Sequence, residues 1–84
     1  MPNNRIKIIF STTAGDLEDE FPVNHPLEAL KREVMARLKL DPSQAGQFVV
    51  VLNGNPLDET KTLAELGIVA GSVLTIERRE VVKI

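Results

Sequence analysis

The sequence predicts an α+β fold: a mixed sheet of four to five strands with one helix packed across one face. Three observations predict it. Two alternating apolar segments joined by a Gly-containing turn open the chain. One segment with apolar residues at helical spacing follows. Residues 48–77, FVVVLNGNPLDETKTLAELGIVAGSVLTIE, then read as strand, tight turn, short strand, helical turn, Gly stop and strand.

Residues 5–11 alternate, with Ile6, Ile8 and Phe10 on one face and Lys7 and Ile9 on the other, as a half-buried strand requires. Ala14-Gly15-Asp16 supplies the turn. From Leu17 the alternation resumes, placing Leu17, Phe21 and Val23 inward and Asp19 outward, so the first two strands form a hairpin. Pro22 cannot donate to a ladder, which marks the second strand as an edge.

Asn24-His25-Pro26 opens the helix, where the missing proline N–H costs nothing. Leu27, Leu30, Val34 and Leu38 form its apolar stripe. Glu28 and Arg32, and Glu33 and Arg37, are favourable pairs four residues apart. Pro42 is expected to stop the helix by biasing Asp41 away from helical angles. Residues 43–47 form a polar connector.

The segment from Phe48 to Leu52 is apolar on both faces, so an interior strand is expected. Asn53-Gly54 predicts a tight hairpin turn. Pro56-Leu57 supports only a short edge strand. Thr60 or Thr62 caps one helical turn carrying Leu63 and Leu66, and Gly67 ends it. Residues 72–78 form the last strand, with Leu74 and Ile76 inward. The connection through the helix places this strand parallel to the first, in mid-sheet.

Composition narrows the function. At 84 residues the chain is expected to be one domain, residues 1–84, with a core at about 5–79 and a tail at 80–84. A net charge of −2 provides no field to attract nucleic acid or anionic lipid. The absence of cysteine excludes disulfides and thiolate chemistry. No apolar run approaches the roughly 18 residues of a membrane span. A cytoplasmic protein without nucleic-acid or membrane partners, and a monomer, is expected. His25 stands without a nucleophile or base, so no catalytic residues, cofactor or metal site are expected. The acidic run Asp16, Glu18, Asp19 and Glu20 lacks the spacing of a cation-binding loop and reads as a solvated edge.

The motifs Leu-Asn-Gly-Asn-Pro-Leu-Asp at 52–58 and Thr-Leu-Ala-Glu-Leu-Gly-Ile at 62–68 carry a family resemblance. So do Val-Ala-Gly-Ser at 69–72 and the helix followed by Pro42. In that order they resemble the ubiquitin-like β-grasp family, over about residues 5 to 79. Two departures stand out. The connector at 43–47 is longer than in ubiquitin. The chain also ends Arg78-Arg79-Glu80-Val81-Val82-Lys83-Ile84, without the Gly-Gly of conjugated modifiers. Conjugation and sulfur-carrier chemistry need bare glycine backbone in a narrow activating channel, so neither is expected.

The resemblance implies docking of another protein on the open sheet face. That face is expected to carry Lys7, Ile9, Val49, Val51, Val73, Thr75 and Glu77. Val49, Val51 and Val73 would form the exposed centre and Lys7, Glu77 and Arg78 the rim; the reading requires the valines to be accessible. The tail at 78–84 is a second candidate, as a strand added to a partner's sheet. The expected function is thus a non-enzymatic protein-interaction domain. The alternatives are a diverged modifier or sulfur carrier activated at its C-terminus, or an accessory subunit of a multi-component enzyme or secretion complex.

Overall fold

The computed structural model describes residues 4–79. Five strands and a helix follow in the expected order: β1 (Arg5–Thr12), β2 (Gly15–Pro22), α1 (Leu27–Arg37), β3 (Phe48–Leu52), β4 (Asn55–Pro56), a one-turn helix α2 (Leu63–Leu66) and β5 (Val73–Arg78). The sheet order is β2-β1-β5-β3-β4. β5 runs parallel to β1, with Ile9 opposite Val73 and Ser11 opposite Thr75. It runs antiparallel to β3, with Val49 opposite Glu77 and Val51 opposite Thr75.

The core lies between α1 and one face of this sheet. Ile8, Phe10, Phe21, Leu27, Leu30, Val34, Val50, Leu63, Leu74 and Ile76 are buried there. Phe10 and Phe21 meet edge to face, with centroids 5.0 Å apart. With so few aromatics, aliphatic side chains supply most of the packing.

Two local expectations are corrected and one open alternative is resolved. First, α1 ends before Pro42 acts. Lys39 adopts left-handed angles (φ 64°), and the Leu40 N–H reaches back to the Met35 carbonyl at 2.7 Å. Pro42 instead begins a 3-10 helix, Pro42–Gln47, which replaces the expected loose connector. Second, Asp19 does not point outward. It shares a side of β2 with Leu17 and Phe21 and binds Arg37 of α1 at 2.8 Å. Third, Thr62 caps α2 and Thr60 does not. The Thr62 hydroxyl accepts from the Glu65 N–H, and Glu65 returns a bond to the Thr62 N–H, a reciprocal capping box.

Gly67 closes α2 at φ 69°, ψ 25°. A methyl group added there would meet nothing within 4 Å, so only the backbone resists substitution. Gly67→Ala is expected to cost about 1–2 kcal/mol, and Gly67→Asn less, because Asn tolerates left-handed angles. Urea titration of the two variants checks this ordering.

Asp41 and Asp58 build matching turns. Each carboxylate accepts from a backbone N–H and a hydroxyl two residues on, Ser43 and Thr60 respectively. These bonds, hydroxyl first, hold both carboxyls below the ordinary aspartate value. Asp19 is lowered likewise, chiefly by Arg37. Because the folded values lie below the unfolded ones, the stabilisation is complete above about pH 4 and is lost as pH falls through the folded values. The urea midpoint is therefore expected to drop on acidification below about pH 4. Asp58→Ala should be less stable than wild type at neutral pH, and the difference should shrink in acid.

Candidate functional site

The face of the sheet opposite α1 is assembled by strand parity. Ile6, Ile8 and Phe10 turn inward on β1, which leaves Arg5, Lys7, Ile9 and Ser11 on the open side. On β5, Leu74 and Ile76 turn inward, which leaves Val73, Thr75 and Glu77. Register then aligns Glu18, Ile9 and Val73 in one row. Asp16, Ser11, Thr75, Val51 and Pro56 form the next.

The expected residues divide into three groups. Lys7 is exposed and pairs with Glu18 at 3.4 Å. Val73 is 51% exposed, with half-buried Ile9 beside it and half-buried Thr75 and Glu77 further along β5. Val49 and Val51 contradict their expected exposure: they are only 4% and 6% accessible, although both lie outside the main hydrophobic cluster. They cannot be an exposed centre. Arg78 is also misplaced as a rim residue of this face. It shares parity with Leu74 and Ile76, and its guanidinium lies over the Phe48 ring, 5.4 Å from the centroid.

One accessible residue was missed. Val69, in the loop before β5, is 68% exposed. That loop is tied to β1 through Gly71 N–H to Lys7 O and Ile9 N–H to Ser72 O. On the open face the apolar surface available to a partner is thus Val73 and Ile9, displaced from the expected Val49–Val51 centre toward β1, with exposed Val69 in the loop before β5. Periodicity could not find Val69, since it lies outside any strand.

The β3 edge is largely closed, whereas the β2 edge is closed only near Pro22 and Glu20 and is otherwise guarded by charge. On the β3 side, the buried Lys31 ammonium donates to the carbonyls of Ala45 (2.7 Å) and Phe48 (2.9 Å) and pairs with Glu59. Glu59 in turn accepts from the Val50 N–H at 3.4 Å, and Leu57 N–H bonds to Val50 O. On the β2 side, the Val23 N–H to Asn4 O bond sets the ladder alternation, so Pro22, Glu20, Glu18 and Asp16 turn their main-chain groups outward. Pro22 has no donor. The Glu20 N–H is taken by Asp19 Oδ1 and its carbonyl by Arg5. Proline, charge and internal bonding are the usual means of blunting an edge.

A groove of about 400 Å³ borders α1 near Glu28, Arg32, Asp58 and Arg79. Its charges alternate in sign. Lys31 spends its donors internally, and Arg79 Nε donates to Gly46 O. Among the described residues no group of three or more His, Cys, Asp or Glu is placed to hold a metal ion. No helix among them is long and apolar enough to cross a membrane. The tail candidate, through residues 80–84, lies outside the described residues.

Comparison with solved structures returns ubiquitin-like folds. A ubiquitin from Caldiarchaeum subterraneum is 28% identical, with a TM-score of 0.74 over 89% of this chain and 94% of that one. A designed protein based on ubiquitin is 25% identical, with a TM-score of 0.75 and 93% of each chain covered. A chain described under "Molecular Mimicry of SUMO promotes DNA repair" reaches a TM-score of 0.81 at 13% identity, covering 90% of this chain and 94% of that one, and supports the fold alone. Comparison with curated protein sequences gave no match. The family model for YukD, described as a protein of the WXG100 protein secretion system (Wss), matches residues 4–76. With the five-stranded ubiquitin-like sheet and its packed helix, that match across most of the chain assigns this protein to the YukD family.

Proposed function

We propose that this chain is a non-catalytic interaction subunit of a WXG100-type secretion apparatus, docking another protein of that apparatus on its open sheet face. The observation that carries the reading is the exposure of Val73 opposite Ile9 on a face that α1 leaves uncovered. Exposed aliphatic side chains bordered by charge favour a protein interface. The family supplies the setting in which such a partner would be met.

The interface proposed from the open face comprises Lys7, Ile9, Val73, Thr75 and Glu77, with Val69 added. Val49 and Val51, buried although they share this face by parity, are left out of it. The closed β3 edge, and Pro22 with the carboxylates along β2, favour face docking over strand addition. The reading is tested by co-purifying apparatus components with tagged wild type and with Val73→Asp in cells that carry the system. Wild type should retain a component that Val73→Asp loses while remaining folded. Equal retention by both would sink the proposal.

A further inference from the structure

We infer that the partner segment taken by the open face is an amphipathic helix whose apolar stripe is flanked by lysine or arginine. This rests on the docking proposed above and specifies the chemistry of the partner.

A segment lying on the face of a sheet gains no ladder bonds; the β3 edge is taken up by Lys31 and Glu59, and the β2 edge is guarded by Pro22 and its row of carboxylates. An extended segment on this face would leave its main-chain groups without protein partners. A helix satisfies its own.

Charge then sets the flanks. Asp16, Glu18 and Glu20 line the β2 margin of the open face, all exposed. Glu18 is engaged by Lys7 in a contact open to solvent on both sides, a kind of pair that rearranges at little cost. No ion pair occupies the carboxylates of Asp16 or Glu20 among the described residues. Alternate residues on a strand recur about every 6.8 Å. Positions i, i+4 and i+8 of a helix recur about every 6 Å. A helix aligned with β2 therefore sets three basic side chains against Asp16, Glu18 and Glu20, while its apolar stripe lies over Ile9 and Val73, the next positions across the sheet.

A second copy of this chain does not meet that description. The apolar side of α1 is buried against its own sheet, and the exposed side carries Glu28, Arg32, Glu33 and Arg37 in mixed sign. Face-to-face pairing through β2 would oppose like charges.

The test uses two designed helical peptides of about five turns with the same leucine stripe. One is flanked by lysines at i, i+4 and i+8, the other by glutamates. Amide shifts of the full chain are followed by NMR. The lysine peptide is expected to move Ile9, Val73 and Glu18, to bind more weakly as salt rises, and to weaken about tenfold against Asp16→Lys/Glu20→Lys. The glutamate peptide should gain affinity for that double variant. Equal binding of both peptides, preference for the glutamate peptide, or no shift at millimolar concentration overturns the inference. Binding of the glutamate peptide at Ile9 and Val73 would leave face docking standing and remove only the basic partner, whereas loss of the Val73→Asp difference in cells would remove the docking itself.

Discussion

Lys31→Ala is expected to lower the unfolding free energy by about 3–5 kcal/mol, the cost of removing one member of a buried ion pair. Lys31 is 4% exposed and Glu59 15%. The ammonium has three donors, and all three are spent: two on the Ala45 and Phe48 carbonyls and one on Glu59. Truncation leaves two carbonyls short of a donor and a carboxylate without its counter-charge. It also loosens the bond from Val50 N–H to Glu59, which helps close the β3 edge. A small domain has only about 5–15 kcal/mol in hand, so the variant should melt far below wild type or fail to accumulate. Lys31→Met/Glu59→Leu should recover part of the loss, because no charge is then stranded. A Lys31→Ala cost under about 1 kcal/mol by urea titration would show that water replaces the ammonium freely.

Val51→Asp and Val73→Asp should separate cleanly, although both alter the same sheet face. Val51 is 6% exposed and sits between Thr75 and Pro56 in the strand register. A carboxylate there has no cationic partner among its strand neighbours, and burying it unpaired costs several kcal/mol, of the order of 2–7. The variant should be largely unfolded, so any lost binding would report stability. Val73 is 51% exposed, and its replacement should cost no more than about 1 kcal/mol, mostly through strand preference. It is therefore the proper probe of the proposed interface. Circular dichroism melts of the two variants check the contrast; similar melting temperatures would contradict the burial argument.

The fold was legible because its signals are local. Asn53-Gly54 fixes a hairpin through two consecutive positive φ angles, 53° and 82°. Thr62, Glu65 and Gly67 bracket a helical turn within six positions. The alternation of Ile6, Ile8 and Phe10 identifies an inner face directly. What escaped depends on contacts distant in sequence. Lys31 lies on the helical stripe with Leu27 and Val34, and its burial depends on Glu59 and two carbonyls that only the fold brings beside it. Pro42 was read as the stop of α1, yet the reversal occurs earlier, at Lys39.

The candidate site was legible in part. Strand parity correctly put Val49 and Val51 outside the main cluster, but exposure depends on side-chain neighbours that parity does not describe. Arg78 and Asp19 each sit two residues from an inward neighbour, so strand parity sets their side, against the expectation of an outward Asp19 and a rim Arg78.

Docking of a secretion partner on this YukD-family domain is proposed to occur through the Val73 side of the sheet. A photo-crosslinking residue placed at Val73, and separately at exposed Ala36 on α1, tests it most directly in cells that carry the WXG100 system. Docking on the open face should give a crosslink to a component of the apparatus from position 73 and none from position 36. A crosslink to the apparatus from position 36 alone, or none from position 73, would contradict it.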